Sequence, residues 1–178
     1  DRPIRVYAVR SPDTASAKTI SAVAITDKPL PLPDKPSIAV LPFQNMSGDP
    51  EQEYFADGMV EEITTALSRF KSLFVIARNS SFTYKGRSVD VRQVGRELNV
   101  RYVVEGSVRR VGERVRITAQ LVETDSGRHI WAGKAEGATS DLFDLQDKVA
   151  AEVASAIQPS IRRVEVERAR SKRPETMA

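Results

Sequence analysis

The segment RNSSFTYKGR, residues 78–87, has the residue types and spacing best suited to binding a ligand or a partner. It follows the apolar run LFVIA (73–77), and in open α/β sheets ligands bind beyond the carboxyl ends of the strands. Its cationic side chains could hold an anionic ligand, with amide and hydroxyl groups beside them. Asn and Ser are also ordinary turn residues, so an anchored surface loop is the alternative. The candidate binding residues are Arg78, Asn79, Ser81, Tyr84, Lys85 and Arg87.

Other residues that could do chemistry have simpler structural explanations. Asp57 and Glu61 share a helix face and could flank a metal or act as acid and base, but acidic residues early in a helix also complement its dipole. Asp141 is explained in the same way, as a helix N-cap. His129 is the one histidine, and the chain has no cysteine and no phosphate-binding glycine motif. We therefore predict no catalytic residue, no metal site and no cofactor in this chain.

Hydrophobic periodicity predicts the elements that would position segment 78–87. Apolar runs predict buried strands at 37–42 and 73–77. Between them, apolar residues spaced three and four apart predict a helix over 51–70. After the segment, Asp90 can cap a second helix that carries apolar residues at helical spacing.

The second half of the chain predicts a β-hairpin, a third strand and a long helix. The stretches 100–108 and 114–122 pair through a turn at RRVG (109–112), with one face buried and the other wet. Gly106, Gly112 and Gly127 fit bulges or hairpin turns. A third strand lies around 129–137, and a long helix begins at Asp141, in which Pro159 could introduce a kink. The predicted fold class is α/β: a mixed β-sheet with helices packed on it, in the order β-α-β-α-β-β-β-α.

Composition divides the 178 residues into one main domain and flanking segments. Residues 1–10 alternate like the terminal strand of an upstream domain, and 11–36 form a proline-rich linker. Residues 37–170 form the α/β domain, and 171–178 begin a linker to a downstream region. No stretch approaches the roughly 20 apolar residues of a membrane span, so we expect no membrane contact.

Charge is distributed unevenly along the domain. Residues 37–77 carry two basic and six acidic groups, whereas 78–128 carry eleven basic and six acidic groups. These halves could be complementary surfaces of neighbouring subunits, could bind separate partners, or could form an ordinary mixed surface. Tyr84, Lys85, Arg87 and Arg92 form too small a basic patch for a nucleic-acid footprint, so we expect no nucleic-acid binding.

The chain contains four long motifs, which are KPSIAVLPFQNMSGDPEQEYFADGMVEEITTALSRF, FVIARNSSFTYKGR, VRQVGRELNVRYVVEGSVRR and RVRITAQLVETDSGRHIWA. Together they closely resemble one bacterial accessory domain. It is found in proteobacterial class III adenylate/guanylate cyclases and in transcriptional regulators, typically between a catalytic or DNA-binding domain and tetratricopeptide repeats. It is related to the amino-terminal domain of the translocation protein TolB, which implies a TolB-like fold over about residues 35–170.

The resemblance also implies a cyclase context. Residues 1–10 resemble the closing strand of a class III cyclase catalytic domain, whose metal-binding aspartates lie upstream in that family and outside this chain. The expected function is therefore non-catalytic: a cytoplasmic regulatory or scaffolding domain in cyclic nucleotide signalling. Its expected partners are a second copy of itself, the upstream catalytic domain and the downstream helical repeats. Candidate contact surfaces are an exposed sheet edge, the acidic helix 51–70 and the carboxyl-terminal helix.

Two other functions stay open at this point. The first is a small-molecule sensor in which Arg78, Lys85 and Arg87 bind an anionic ligand. A ligand-sized cleft beside segment 78–87 would favour it, whereas a flat surface would favour scaffolding. The second is an enzyme in its own right, which would need a cleft with convergent ionisable groups of perturbed pKa.

Overall fold

The computed structural model describes residues 35–172. Their core is a six-stranded sheet. The predictions for residues 1–10, for 11–34 and for the last six residues lie outside the described part of the chain. The strands are β1 (Ser37–Val40), β2 (Gln44–Asn45), β3 (Phe74–Val75), β4 (Tyr102–Val111), β5 (Arg114–Glu123) and β6 (His129–Ala138).

The sheet is mixed, as predicted. Its strand order is β3-β1-β4-β5-β6. The short strand β2 pairs with the later part of β4, on the same edge of β4 that pairs with β1. β1 is parallel to β3 and β4, whereas β4, β5 and β6 form an antiparallel meander. The predicted pairing of 100–108 with 114–122 is confirmed, because Val104 lies opposite Leu121 and Val108 opposite Ile117.

Two long helices cover one face of the sheet. They are α1 (Pro50–Ser68) and α4 (Leu142–Ser171), and they bury Ile63 and Ile157 against Val104 and Ile117 of the sheet. Asp49 caps the start of α1, since its carboxylate accepts a hydrogen bond from the Glu51 N–H at 3.0 Å. None of the described helices is long and apolar enough to cross a membrane.

The opposite face is only half covered. One short helix, α3 (Val91–Leu98), lies on that side of the sheet, whereas Phe82 of the other short helix, α2 (Arg78–Phe82), packs against the core on the side of α1. Val94 of α3 and Tyr84 form a second apolar cluster with Val103 and Val122 of the sheet. Beyond this cluster the outward residues of β4, β5 and β6 are polar, as the wet face of the predicted hairpin requires.

The structure corrects four local predictions. The hairpin turn lies at Gly112 and Glu113 rather than at 109–112, because Gly112 supplies the positive φ of +61° that a two-residue turn needs. Gly106 is a paired residue in the middle of β4, not a bulge or turn. Asp141 stands at the N-cap position of α4 but makes no capping hydrogen bond, because a 3₁₀ turn (Thr139–Asp141) precedes the helix. The fourth correction, to segment 78–87, is described with the site.

Candidate functional site

The first half of segment 78–87 is a short helix rather than a loop. α2 is followed by consecutive turns, in which the N–H groups of Tyr84, Lys85 and Arg87 donate to carbonyl groups three residues earlier. Gly86, at φ +73°, ends this compact stretch. The helical turn places neighbouring side chains of the segment on different sides, so the predicted binding residues cannot all face one ligand.

The first three predicted residues, Arg78, Asn79 and Ser81, do not line the large cleft that borders the second half of the segment. Arg78 stacks its guanidinium over the Phe82 ring at 3.9 Å, a favourable cation–π arrangement. Asn79 is exposed, and Ser81 is only 1% exposed. The Arg78 Nε and the Ser81 hydroxyl are buried without a hydrogen-bond partner among the described residues.

Tyr84, Lys85 and Arg87 lie close together, and the first two are engaged by side chains of α3 and α1. The buried Tyr84 hydroxyl donates to Glu97, and burial together with that hydrogen bond raises the pKa of Tyr84 to about 12. Lys85 donates to Asp57 and lies 3.5 Å from Glu53, and the Asp57 hydrogen bond raises the pKa of Lys85. Segment 78–87 is thereby fixed to α1 and α3.

A broad open cleft of about 1090 Å³ lies beside this segment. One wall is formed by residues 84–89 and another by residues 41–46, which connect β1 to β2. Its floor is the polar half of the sheet, with side chains that include Glu105, Ser107, Thr118, Gln120 and Lys134. The cleft that would favour a sensor is therefore present, but it uses only the second half of the predicted segment.

The floor residues were missed by the sequence analysis as members of a site. Gln120 donates to Glu105 at 3.1 Å, and the Ser107 and Thr118 hydroxyls lie 2.6 Å apart, because each pair is directly opposite in the β4–β5 ladder. The alternation of polar and apolar residues predicted this wet face. It could not predict that residues 84–89 would border it.

The cleft offers few ionisable side chains suited to acid–base catalysis near neutral pH. The two groups with shifted pKa values that line it are Tyr84 and Lys85, and both shifts move titration further above neutral pH. Among residues 35–172 no three metal-ligating side chains lie together. Arg87 and Lys134 are the cleft-lining cations that form no ion pair with another described residue, so they are the groups that would meet an anion.

A second polar network fixes the carboxyl-terminal part of α4 to the sheet. Glu165 accepts hydrogen bonds from the Tyr102 hydroxyl at 2.7 Å and from Arg101 at 2.9 Å. One turn later, Arg168 lies 3.1 Å from Glu123, whose side chain is only 10% exposed. Glu165 and Arg168 therefore fix the charged end of α4 to the domain.

Comparison with protein families gives one match over most of the chain. The family described as "HilA/YgeH-like transcriptional regulator, second domain" matches residues 34–152. The chain belongs to this family. The match includes all six strands, α1 to α3 and the start of α4, so the cleft and its floor are parts of the HilA/YgeH-like second domain.

A much longer relative resembles nearly the whole chain. A Rhizobium meliloti (strain 1021) protein named "Putative adenylate cyclase 3" is 48% identical over 172 residues, which is 97% of this chain. The chain spans 29% of the length of that relative. Since the alignment leaves out only about 3% of the chain, the similarity extends beyond the family match into residues before 34 and after 152.

Two solved structures share the fold. Lipoprotein GNA1162 from Neisseria meningitidis has a TM-score of 0.51 at 20% identity, over 67% of this chain and 99% of that one. TolB from Acinetobacter baumannii has a TM-score of 0.50 at 15% identity, over 72% of this chain and 29% of that one. At these identities the likeness concerns the fold alone, and it confirms the predicted TolB-like α/β architecture.

Proposed function

We propose that this HilA/YgeH-like second domain is a non-catalytic regulatory and scaffolding domain of a bacterial adenylate or guanylate cyclase. The observation that carries the proposal is the 48% identity, over 172 residues, to a protein named as an adenylate cyclase of which the chain spans 29%. The family description names a transcriptional regulator instead. We favour the cyclase because the similarity to its relative continues outside the family match, into residues before 34 and after 152.

The domain would act by self-association. Class III catalytic sites generally form between two catalytic domains, so a dimerising neighbour would raise their effective concentration. The docked helix α4 suits a scaffold, since about 45 Å of helix is held along its length by the sheet and by the pairs at Glu165 and Arg168. Downstream helical repeats would then be held in a fixed relation to the catalytic domain. A cyclase uses cytoplasmic ATP or GTP, so the proposed location is the cytoplasm.

The proposal is tested on the full cyclase, with and without residues 35–172. Specific activity is measured while the enzyme is diluted from micromolar to nanomolar concentration. We expect the intact enzyme to keep its activity down to concentrations at least an order of magnitude lower than the deleted enzyme does, because in a dimer held together by this domain the two catalytic domains meet at about millimolar effective concentration. Superimposable dilution curves would refute scaffolding. Cyclic nucleotide formation by the 178-residue chain alone would refute the non-catalytic role.

A sensor for an anionic small molecule is the second candidate, favoured by the cleft beside residues 84–89. The ligand would meet Arg87 and Lys134 rather than the Arg78, Lys85 and Arg87 set expected from sequence. Pyrophosphate, succinate and a nucleoside triphosphate are suitable probes, with thermal unfolding as the readout. We expect Arg87→Gln to remove a ligand-induced rise in Tm that Asn79→Ala leaves intact, and no rise with any probe would argue against this candidate.

A further inference from the structure

The outer side of β6 is an open sheet edge. β6 is hydrogen-bonded to β5, and among residues 35–172 no strand lies on its other side. It is ten residues long, against five or six for a common strand, and its sequence HIWAGKAEGA contains no proline. Proteins usually protect such edges with short strands, prolines, charged side chains or a covering element, because unpaired N–H and C=O groups can pair with another strand. Of these features β6 has the charged side chains Lys134 and Glu136, so a partner strand must place opposite charges against them.

The register of the sheet determines which groups β6 presents. The Val104 carbonyl accepts from the Leu41 N–H at 2.9 Å, so the even-numbered residues of β4 face β1 and the odd-numbered ones face β5. In the β4–β5 pairing, the odd-numbered residues of β4 lie opposite even-numbered residues of β5, so the odd-numbered residues of β5 direct their backbone groups towards β6. These lie opposite odd-numbered residues of β6, which therefore face β5. The Thr139 N–H, which donates to Glu113 at 2.8 Å, agrees with this assignment. The outward N–H and C=O groups are those of Ala132, Lys134, Glu136 and Ala138.

We propose that a second copy of this chain pairs with β6 in antiparallel register, about a twofold axis at Ala135. Lys134 then lies directly opposite Glu136 of the partner subunit, and the pair occurs twice because the interface is symmetric. The backbone N–H and C=O groups of both residues point away from β5, so Lys134 and Glu136 of the partner subunit can form a hydrogen-bonded pair. The same register therefore satisfies the backbone hydrogen bonds and the charge pairs. This inference rests on the self-association in the proposed function and identifies the surface that carries it.

Charge selects this register over its neighbours. Moving the axis to Lys134 places that ammonium opposite Lys134 of the partner subunit, and moving it to Glu136 places two carboxylates opposite each other. Like charges directly opposite are destabilising. Glu136 is also held in place on the sheet surface, because it pairs with Arg116 at 2.7 Å and with Arg114 at 3.0 Å.

Charge reversal on the 178-residue chain tests the interface. Sedimentation equilibrium gives the dimer Kd for wild type, Lys134→Glu, Glu136→Lys and the double variant. Each single variant creates two like-charge pairs, so we expect a Kd about tenfold weaker. The double variant restores opposite charges and is expected within about threefold of wild type. An equimolar mixture of the two single variants should form a heterodimer more tightly than either variant pairs with itself.

Two further variants separate the edge from general effects. Ala132→Pro removes an outward N–H without removing a bond to β5, so it should weaken the dimer while leaving Tm nearly unchanged. Lys148→Glu makes the same charge change as Lys134→Glu on an exposed position of α4 and should leave the Kd unchanged.

The outcomes distinguish this interface from the proposed function. A wild-type dimer whose Kd is unaffected by Lys134→Glu and Ala132→Pro would overturn the β6 interface and leave scaffolding in place. Failure of the double variant to recover would overturn the register. A strict monomer for wild type would overturn both the interface and self-association by this domain.

Discussion

Replacing Arg168 by Met should loosen the carboxyl-terminal part of α4. Met keeps the aliphatic stem and removes the guanidinium that lies 3.1 Å from Glu123. Exposed ion pairs contribute about 0–1 kcal/mol, whereas breaking a buried pair costs about 3–5 kcal/mol. Glu123 keeps the Ser126 hydroxyl at 2.6 Å and Arg128 at 3.8 Å as partners in the variant, so the loss lies nearer the lower limit, at about 1 kcal/mol. For a chain of this size that is a fall in Tm of roughly 2–4 °C.

Thermal unfolding and hydrogen exchange check this prediction together. Backbone amides of residues 161–171 should exchange faster in Arg168→Met, while those of the β4–β5 hairpin should change only through the lower global stability. Arg162→Met is the matched control, because Arg162 is exposed on the same helix. If the two variants show equal Tm values and equal exchange over 161–171, then the Glu123 pair does not dock α4, and the case for a rigid scaffold weakens.

Two other predictions concern the sheet and the cleft. Gly106→Ala should destabilise the fold by about 1–3 kcal/mol, since a Cβ there would lie 2.5 Å from the Phe43 ring and 2.6 Å from the Thr118 carbonyl oxygen. An unchanged denaturation midpoint in this variant would contradict the close packing around Gly106. Tyr84 has a pKa raised to about 12 by burial and by the Glu97 hydrogen bond, so the folded state holds the phenol proton more tightly than the unfolded state does. Its contribution to stability should be complete below pH 10 and should be lost as pH rises towards 12. Urea midpoints across this range should fall less steeply in Tyr84→Phe, and equal slopes would show that Tyr84 does not titrate as described.

The elements with a long, regular hydrophobic pattern were predictable from sequence. The helix over 51–70, the paired strands of the hairpin and the helix that begins near Asp141 each repeat one period over many residues. The two-residue strands β2 and β3 carry no such pattern, because they exist only through parallel pairing with β4 and β1.

Local sequence also failed where packing decides the conformation. Residues 78–82 have little helical periodicity, and α2 is held by contacts such as the stacking of Arg78 on Phe82. Gly106 has the residue type of a turn but is required within β4 because the Phe43 ring packs against it. Such long-range contacts cannot be read from neighbouring residues.

The candidate site was predicted in part. Tyr84, Lys85 and Arg87 do border the cleft, whereas Arg78, Asn79 and Ser81 do not. The polar floor was visible as alternation along β4 and β5, but its position beside residues 84–89 depends on how α3 packs on the sheet. The proposed charge pairs between two copies of β6 could not be inferred from sequence, because they depend on which residues of β6 point away from β5.

The measurement that tests self-association most directly is light scattering behind size-exclusion chromatography, on the 178-residue chain over about three decades of concentration. The monomer mass is 19.7 kDa. We predict a mass that rises with concentration towards twice that of the monomer, and that rises less in Lys134→Glu. A mass that stays at the monomer value up to the highest concentration would contradict scaffolding by this domain.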